Sequence, residues 1–364
     1  YCSRTYGKSQ LEMTYDKQLL GQGDISISFN ELRAGYDLNL TIQNSLQQYA
    51  YDQLNGRSGA VVAIEPRTGK ILAMVSYPDF DPNAERLEAD WNTIVERKDS
   101  PLLARATQGL YPPGSTYKIA TAAAAYETGR IAETFQDTGK FEQDGLHVDN
   151  YGKTAYGEID LKRAFSVSSN FAFCTLGYEM GSDKVLEMAE RFGINKSIDF
   201  DLASSKSQIQ YKKMKNADAA LVSIGQGQLL MTPLHVAMMG ATMMKPYVVD
   251  SVTTSSGLTL SQSKPSVLYE VLSTECADYL GELMQNVVEN GTGKSSRISG
   301  ITVAGKTGTA ENETDKDHAW FVGYAPAENP QIAVAVLLEY DGGAGGTNAG
   351  PIAKNIIRKY LSAK

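Results

Sequence analysis

The sequence predicts an α/β (α+β) fold: a five-stranded antiparallel sheet packed between helices, with a large helical insertion. Three observations predict it. Residues 59–65 and 70–77 are β-rich runs separated by Pro66-Arg67-Thr68-Gly69, whose turn chemistry closes a hairpin. Residues 301–309, 319–324 and 331–340 read as three further strands near the C-terminus. From about 100 to 295 the apolar spacing is mostly helical. A hairpin at one end and a meander at the other are most economically joined in one sheet with helices on its faces.

The remaining elements follow in order. Residues 1–38 are polar and Tyr-rich, and read as the tail of a preceding module or a linker, with the main domain spanning 39–364. A helix is expected from Thr41, its N-cap, to Leu54. Residues 251–265 form a Ser/Thr/Gly-rich loop or edge segment, followed by a helix over 274–289. The glycine-rich stretch 341–346 reads as a flexible connection into a last helix over 349–361. There are no internal repeats.

Composition removes several function classes. Net charge is −8 and no basic tract occurs, which argues against a nucleic-acid groove. Cys2, Cys174 and Cys276 form no disulfide framework or metal knuckle, and His147, His235 and His318 lie far apart, so neither a metal nor a cofactor is implied. No run of 18 apolar residues occurs; the nearest candidate, 229–244, is broken by Pro233 and His235. The start at Tyr1, without an initiator Met or a signal peptide, reads as a piece of a longer chain.

Three motifs carry the chemistry. Ser115-Thr116-Tyr117-Lys118 follows Tyr111-Pro112-Pro113-Gly114 and precedes an Ala-rich helix, placing Ser115 at a helix N-terminus. A serine and a lysine three apart share one helix face, and a neutral Lys amine can take the hydroxyl proton. Burial and a second nearby cation would both lower its pKa. A second copy, Ser261-Gln262-Ser263-Lys264, runs into Pro265 and reads as a solvated turn. The second motif is Ser168-Ser169-Asn170, whose hydroxyl and amide can relay a proton and hold a peptide group. Its decoy is Ser28-Phe29-Asn30; either alone reads as a cap or a turn. The third, Lys306-Thr307-Gly308-Thr309, lies on an expected strand: Lys306 supplies a fixed positive charge, Thr307 and Thr309 offer hydroxyls to a carboxylate, and Gly308 lets a substrate lie against the backbone. A Ser-His-Asp hydrolase fits worse, because Ser115 lacks a Gly-x-Ser-x-Gly elbow and no histidine has an evident partner.

In this order the three motifs resemble those of penicillin-binding proteins and class A β-lactamases. From about Gly35 to the C-terminus the chain resembles the transpeptidase domain of a class B, monofunctional penicillin-binding protein. Beyond the motifs, the resemblance rests on 59–64 with 77–83, on Ile224-Gly225-Gln226-Gly227 followed by Thr232-Pro233, and on 319–326. Residues 6–12 resemble the end of the non-catalytic pedestal that precedes such domains. The chain departs from the family between His235 and Lys245, where a longer helix and an Asn-Gly turn are usual.

The resemblance implies a penicillin-binding/β-lactamase-like fold and a D,D-transpeptidase acting on peptidoglycan stem peptides ending in D-Ala-D-Ala, acylated and inhibited by β-lactam antibiotics. It implies Ser115 as nucleophile, Lys118 as its base, and Ser168 as proton relay to the leaving D-alanine, assisted by Lys306. Asn170 would bind the substrate amide, Thr307 and Thr309 the terminal carboxylate, and the backbone N–H groups of Ser115 and Thr309 the oxyanion. It further implies a SEDS-type glycan polymerase as partner, and a site at the outer face of the bacterial cytoplasmic membrane, held by an N-terminal anchor upstream of this chain. A D,D-carboxypeptidase, a β-lactamase and a β-lactam sensor or idle scaffold remain as alternatives; no glutamate carries a motif for activating deacylating water.

Overall fold

The structure is a computed structural model that describes every residue except 4, 23–34, 242, 315 and 364. The Ser28-Phe29-Asn30 copy lies outside the described residues. Strands β1 (Gly59–Ile64), β2 (Ile71–Tyr77), β3 (Ala304–Ala310), β4 (His318–Ala325) and β5 (Ile332–Leu338) form one antiparallel sheet in the order β3-β4-β5-β1-β2, as the sequence predicts. Strands β1 and β5 are buried along their whole length, which is why each reads as an unbroken apolar run.

Seven helices carry the argument: α1 (Asn44–Leu54), α2 (Lys118–Glu127), α3 (Leu161–Val167), α4 (Asn170–Arg191, broken at Gly181), α5 (Pro233–Met239), α6 (Thr274–Asn290) and α7 (Gly345–Leu361). Successive strand residues point to opposite faces. Val61, Ala63, Val334 and Val336 pack with α1 and α7, whereas Ala60, Val62, Ala335 and Leu337 join the core built by α2, α4, α5 and α6. Strand β3 is left at the edge of the sheet.

Several expectations need correction. Thr41 is not the N-cap of α1; Gln43 is, and Thr41 donates its hydroxyl to the Ile71 carbonyl (2.7 Å). The reason is tertiary: residues 37–40 pair with Val249–Thr253, so Thr41 ties that strand to the main sheet. The insertion is not all helical, because Thr134–Asp137 pairs with Gly157–Asp160 and Lys140–Gln143 with Leu146–Asp149. The tract 251–265 takes in the end of the middle strand, Val249–Thr253, and the outer strand, Thr259–Gln262, of a three-stranded sheet, and the second Ser-x-x-Lys begins on that outer strand, off any helix.

The glycines of 341–346 are also misread as a flexible connection. Gly345 and Gly346 already belong to α7, and a Cβ on Gly345 would lie 2.1 Å from the Trp320 carbonyl and 2.3 Å from that of Gly308. Their bareness lets α7 cross β3 and β4 in close contact. Trp320, Cys174 and His235 are fully buried, while Tyr324 is only half-buried. Helix α5 ends at Met239, and beyond it a cavity of about 390 Å³ opens, lined by Ile119, Met238, Met243, Leu280 and Tyr324 among others.

Leu337, fully buried on β5, reports on the central layer. Leu337→Ala should cost about 2–5 kcal/mol, read as a fall in the urea midpoint. An unchanged midpoint would contradict the packing described.

Candidate active site

The segment leading to Ser115 is clamped on every side. Tyr111 exchanges backbone hydrogen bonds with Met231 (3.0 and 2.8 Å), and its hydroxyl donates to Glu339, which pairs with buried Arg105 at 3.0 Å. Trp320 Nε1 donates to the Pro112 carbonyl (3.1 Å), Thr116 Oγ1 to that of Pro113 (2.7 Å), and the Gly114 amide to that of Gly225 (3.0 Å). The chain then makes a 3₁₀ turn, Gly114–Tyr117, and runs into α2.

Two glycines are required by this geometry. Gly114 has φ +52°, and a Cβ there would sit 2.5 Å from the Thr309 carbonyl. Gly225 has φ +77°, and its Cβ would lie 1.9 Å from the Gly114 carbonyl. Gly308 belongs to the same packing. A Cβ at 308 would meet Thr116 Cγ2 and Trp320 Cβ, each at 3.0 Å, and the Pro113 carbonyl at 3.1 Å. The glycine makes room for the Ser115 turn.

Lys118 and Lys306 are both fully buried, and both reach the hydroxyl of Ser168. Lys118 Nζ donates to the Ser168 carbonyl (2.8 Å), Ser168 Oγ (3.3 Å) and Asn170 Oδ1 (2.8 Å). Lys306 Nζ donates to Ser168 Oγ (2.9 Å) and to the Thr307 carbonyl (3.0 Å). Ser168 sits in the left-handed region (φ 61°) at the end of α3, which aims its hydroxyl between the two amines. Ser115 is half-buried; among the described residues no hydrogen bond joins it to Lys118, a common state of free enzymes that tightens on substrate binding.

Burial pulls the Lys118 amine from its ordinary 10.5 down to about 7, against the opposing influence of Cys174 and Asp137. Burial, and then the neighbouring Lys118, take Lys306 well below 10.5. Two desolvated amines sharing one hydroxyl oppose each other's protonation, so the surroundings of Lys306 disfavour its charged form.

Of the other expected residues, Asn170 uses its amide internally: Oδ1 accepts from Lys118, and Nδ2 donates to the Asp149 carbonyl (2.8 Å). An amide has two donors and two lone pairs, so one of each is left for a substrate. Thr307 is buried, and its hydroxyl lies 2.6 Å from that of exposed Thr292, whereas Thr309 is half-exposed. The Thr309 carbonyl faces Gly114; in an antiparallel strand a residue's N–H and C=O point to the same side, so its amide also faces the Ser115 turn.

Thr292, Asp137, Asn150 and Ser169 escape the sequence reading. Ser169 is visible only as the middle of its motif, and no motif marks Asp137, Asn150 or Thr292. Among the described residues, no group of three or more His, Cys, Asp or Glu side chains is placed to hold a metal ion.

The family model described as the penicillin binding protein transpeptidase domain matches residues 59–358. The chain belongs to that family. Relatives include the peptidoglycan D,D-transpeptidase PbpA of Mycolicibacterium smegmatis, 35% identical across 95% of this chain and 77% of that protein. Another is the peptidoglycan D,D-transpeptidase MrdA of Acinetobacter baumannii, 33% identical across 90% of this chain but only 54% of that longer protein. Among solved structures, penicillin-binding protein A of M. tuberculosis as a penicillin G acyl-enzyme complex superposes with a TM-score of 0.92, at 33% identity, over 99% of this chain and 90% of that one.

The buried amine of this transpeptidase domain has a signature in stability. With Lys118 at about 7 when folded and near 10.5 when unfolded, the unfolded chain binds the extra proton between those values, so stability rises with pH across that window. Lys118→Met lacks this contribution. Relative to the variant, the wild type should gain stability from pH 7 to 10 in urea titrations. A constant difference over that range would contradict a desolvated amine.

Proposed function

We propose that this chain is a serine D,D-transpeptidase that cross-links peptidoglycan stem peptides through an acyl-enzyme on Ser115, and that β-lactams acylate and inhibit it. The observation that carries the reading is the pair of buried lysines on either side of Ser168 Oγ, beside a serine turn seated at the edge of β3. The names of the relatives point the same way.

A stem peptide lies along the open edge of β3, its terminal carboxylate at the hydroxyls of Thr309 and Thr307. The neutral amine of Lys118 takes the Ser115 proton as Oγ attacks the penultimate D-Ala carbonyl. The oxyanion is held by the amides of Ser115 and Thr309; one such donor is typically worth about 3 kcal/mol of barrier. Ser168, backed by Lys306, then delivers a proton to the departing amine, the C–N bond breaks and D-alanine leaves. Asn170 orients the peptide amide. An amine of a neighbouring stem peptide attacks the ester, loses its proton through the same groups and restores the Ser115 hydroxyl.

In the same reading residues 1–38 end a non-catalytic pedestal whose membrane anchor lies upstream, and the domain works at the outer face of the cytoplasmic membrane beside a SEDS-type glycan polymerase. Tyr6 stacking on Trp91 (centroids 4.3 Å apart, planes at 10°) is consistent with that terminal piece docking on the domain.

An intact-mass time course with benzylpenicillin tests the proposal. The wild type should gain a long-lived adduct of one penicillin mass, Ser115→Ala none, and Lys118→Ala should form it about 10²–10⁴-fold more slowly. Absence of a wild-type adduct, or an adduct on Ser115→Ala, would overturn the nucleophile. A fleeting adduct with continuous antibiotic turnover would make the domain a β-lactamase instead.

A further inference from the structure

Ser169, the middle residue of the second motif, is buried, and among the described residues its hydroxyl bonds neither lysine. Its hydroxyl donates to Asp137 Oδ2 at 2.6 Å and accepts from the Ala172 amide at 3.0 Å. Asp137 is itself 2% exposed and, among the described residues, has no ion-pair partner. Its carboxylate accepts instead from neutral donors: Ser169 Oγ, the Gly139 amide (2.7 Å) and Asn150 Nδ2 (2.8 and 3.0 Å). Asn150 in turn offers Oδ1 to the amides of Asn170 (2.7 Å) and Phe171 (2.9 Å).

These bonds have a common outcome. The first three amides of α4 are capped by Asn150 and Ser169, both of which Asp137 holds. A carboxylate near a helix N-terminus is also favoured by the helix dipole. The chain between the end of α3 and the start of α4 is thereby fixed from behind. That stretch is Ser168, in its left-handed conformation, and Ser169, with Asn170 opening α4. Among the described residues, Ser168 and Asn170 supply the acceptors of the Lys118 amine.

We infer that Asp137 is a positioning residue for the reaction: through Ser169 and Asn150 it holds the Ser168–Asn170 turn against the two lysines. The inference rests on the transpeptidase reading above. Among the described residues, the ionisable groups that act on Lys118 are Cys174 from α4, Asp137 from the strand Thr134–Asp137, and Lys306 from β3. Burial pushes the Cys174 thiol up to about 12, so at neutral pH it carries no charge. Asp137 is then the anion that offsets desolvation and the second lysine.

The test is the second-order rate constant for benzylpenicillin acylation from pH 5 to 9, measured on this chain as wild type, Asp137→Asn and Ser169→Ala. The wild type should rise through a midpoint near 7, where Lys118 gives up its proton. Asp137→Asn should lose about tenfold or more at the plateau through misplacement of the turn. Its midpoint should also lie below that of the wild type, because the anion is gone. Ser169→Ala keeps the charge and loses one anchor, so its plateau should fall while its midpoint stays.

Wild-type rates and midpoints in both variants would overturn the inference. So would a slow Asp137→Asn with an unmoved midpoint, which would make Asp137 structural only. Should Asp137→Asn fail to fold, Ser169→Ala decides: a wild-type plateau sinks the positioning role. A wild type that is never acylated would sink the transpeptidase reading itself, and that result is read before either variant.

Discussion

Two amines buried around one hydroxyl oppose each other's protonation, and the active centre is organised by that constraint. Lys118 and Lys306 are both excluded from water, and both reach Ser168 Oγ. Desolvation penalises the charged form of each, and each charge penalises the other. The resulting basicity near pH 7 is what a serine needs beside it, since its own hydroxyl is a weak nucleophile. A site of this kind costs stability, and the surrounding sheet and helices must offset it.

Holding that arrangement falls to backbone contacts between distant parts of the chain. The Ser115 turn comes from the start of the insertion, the Ser168 turn from its middle, and Lys306 from the edge strand β3. Gly114 and Gly225 bring main chains within distances that no Cβ would permit, and Gly308 sits where a Cβ would fit only tightly. Trp320 on β4 and Glu339 just past β5 grip the approach to Ser115 from below. The nucleophile therefore rests on the sheet itself, which suits a site whose reacting groups must be placed to a fraction of an ångström.

Much of this was legible in the sequence, for identifiable reasons. Strands β1 and β5 are apolar on both faces, so their runs stand out, and the turn Pro66–Gly69 marks the hairpin. The order of the three motifs led to the family. What stayed hidden depends on tertiary contacts. The short strands Thr134–Asp137 and Lys140–Gln143 expose alternate polar residues over only four positions, too few to show a period. Thr41 looks like a cap until a strand from another part of the chain claims its neighbours. The roles of Asp137 and Asn150 arise wholly from a fold that sets them behind residues 168–170, and Gly308 faces protein where an isolated strand would suggest open space.

The most direct test of the central claim is the protonation of Lys118 itself. Carbon-13 labelling at lysine Cε, with the Lys118 signal assigned by its loss in Lys118→Met, gives a titration read by NMR. A Cε resonance that titrates with a midpoint near 7, lost in the variant, is the predicted result. If every lysine signal titrates near 10.5, the amine is not desolvated, and the proton-accepting role drawn from its burial fails.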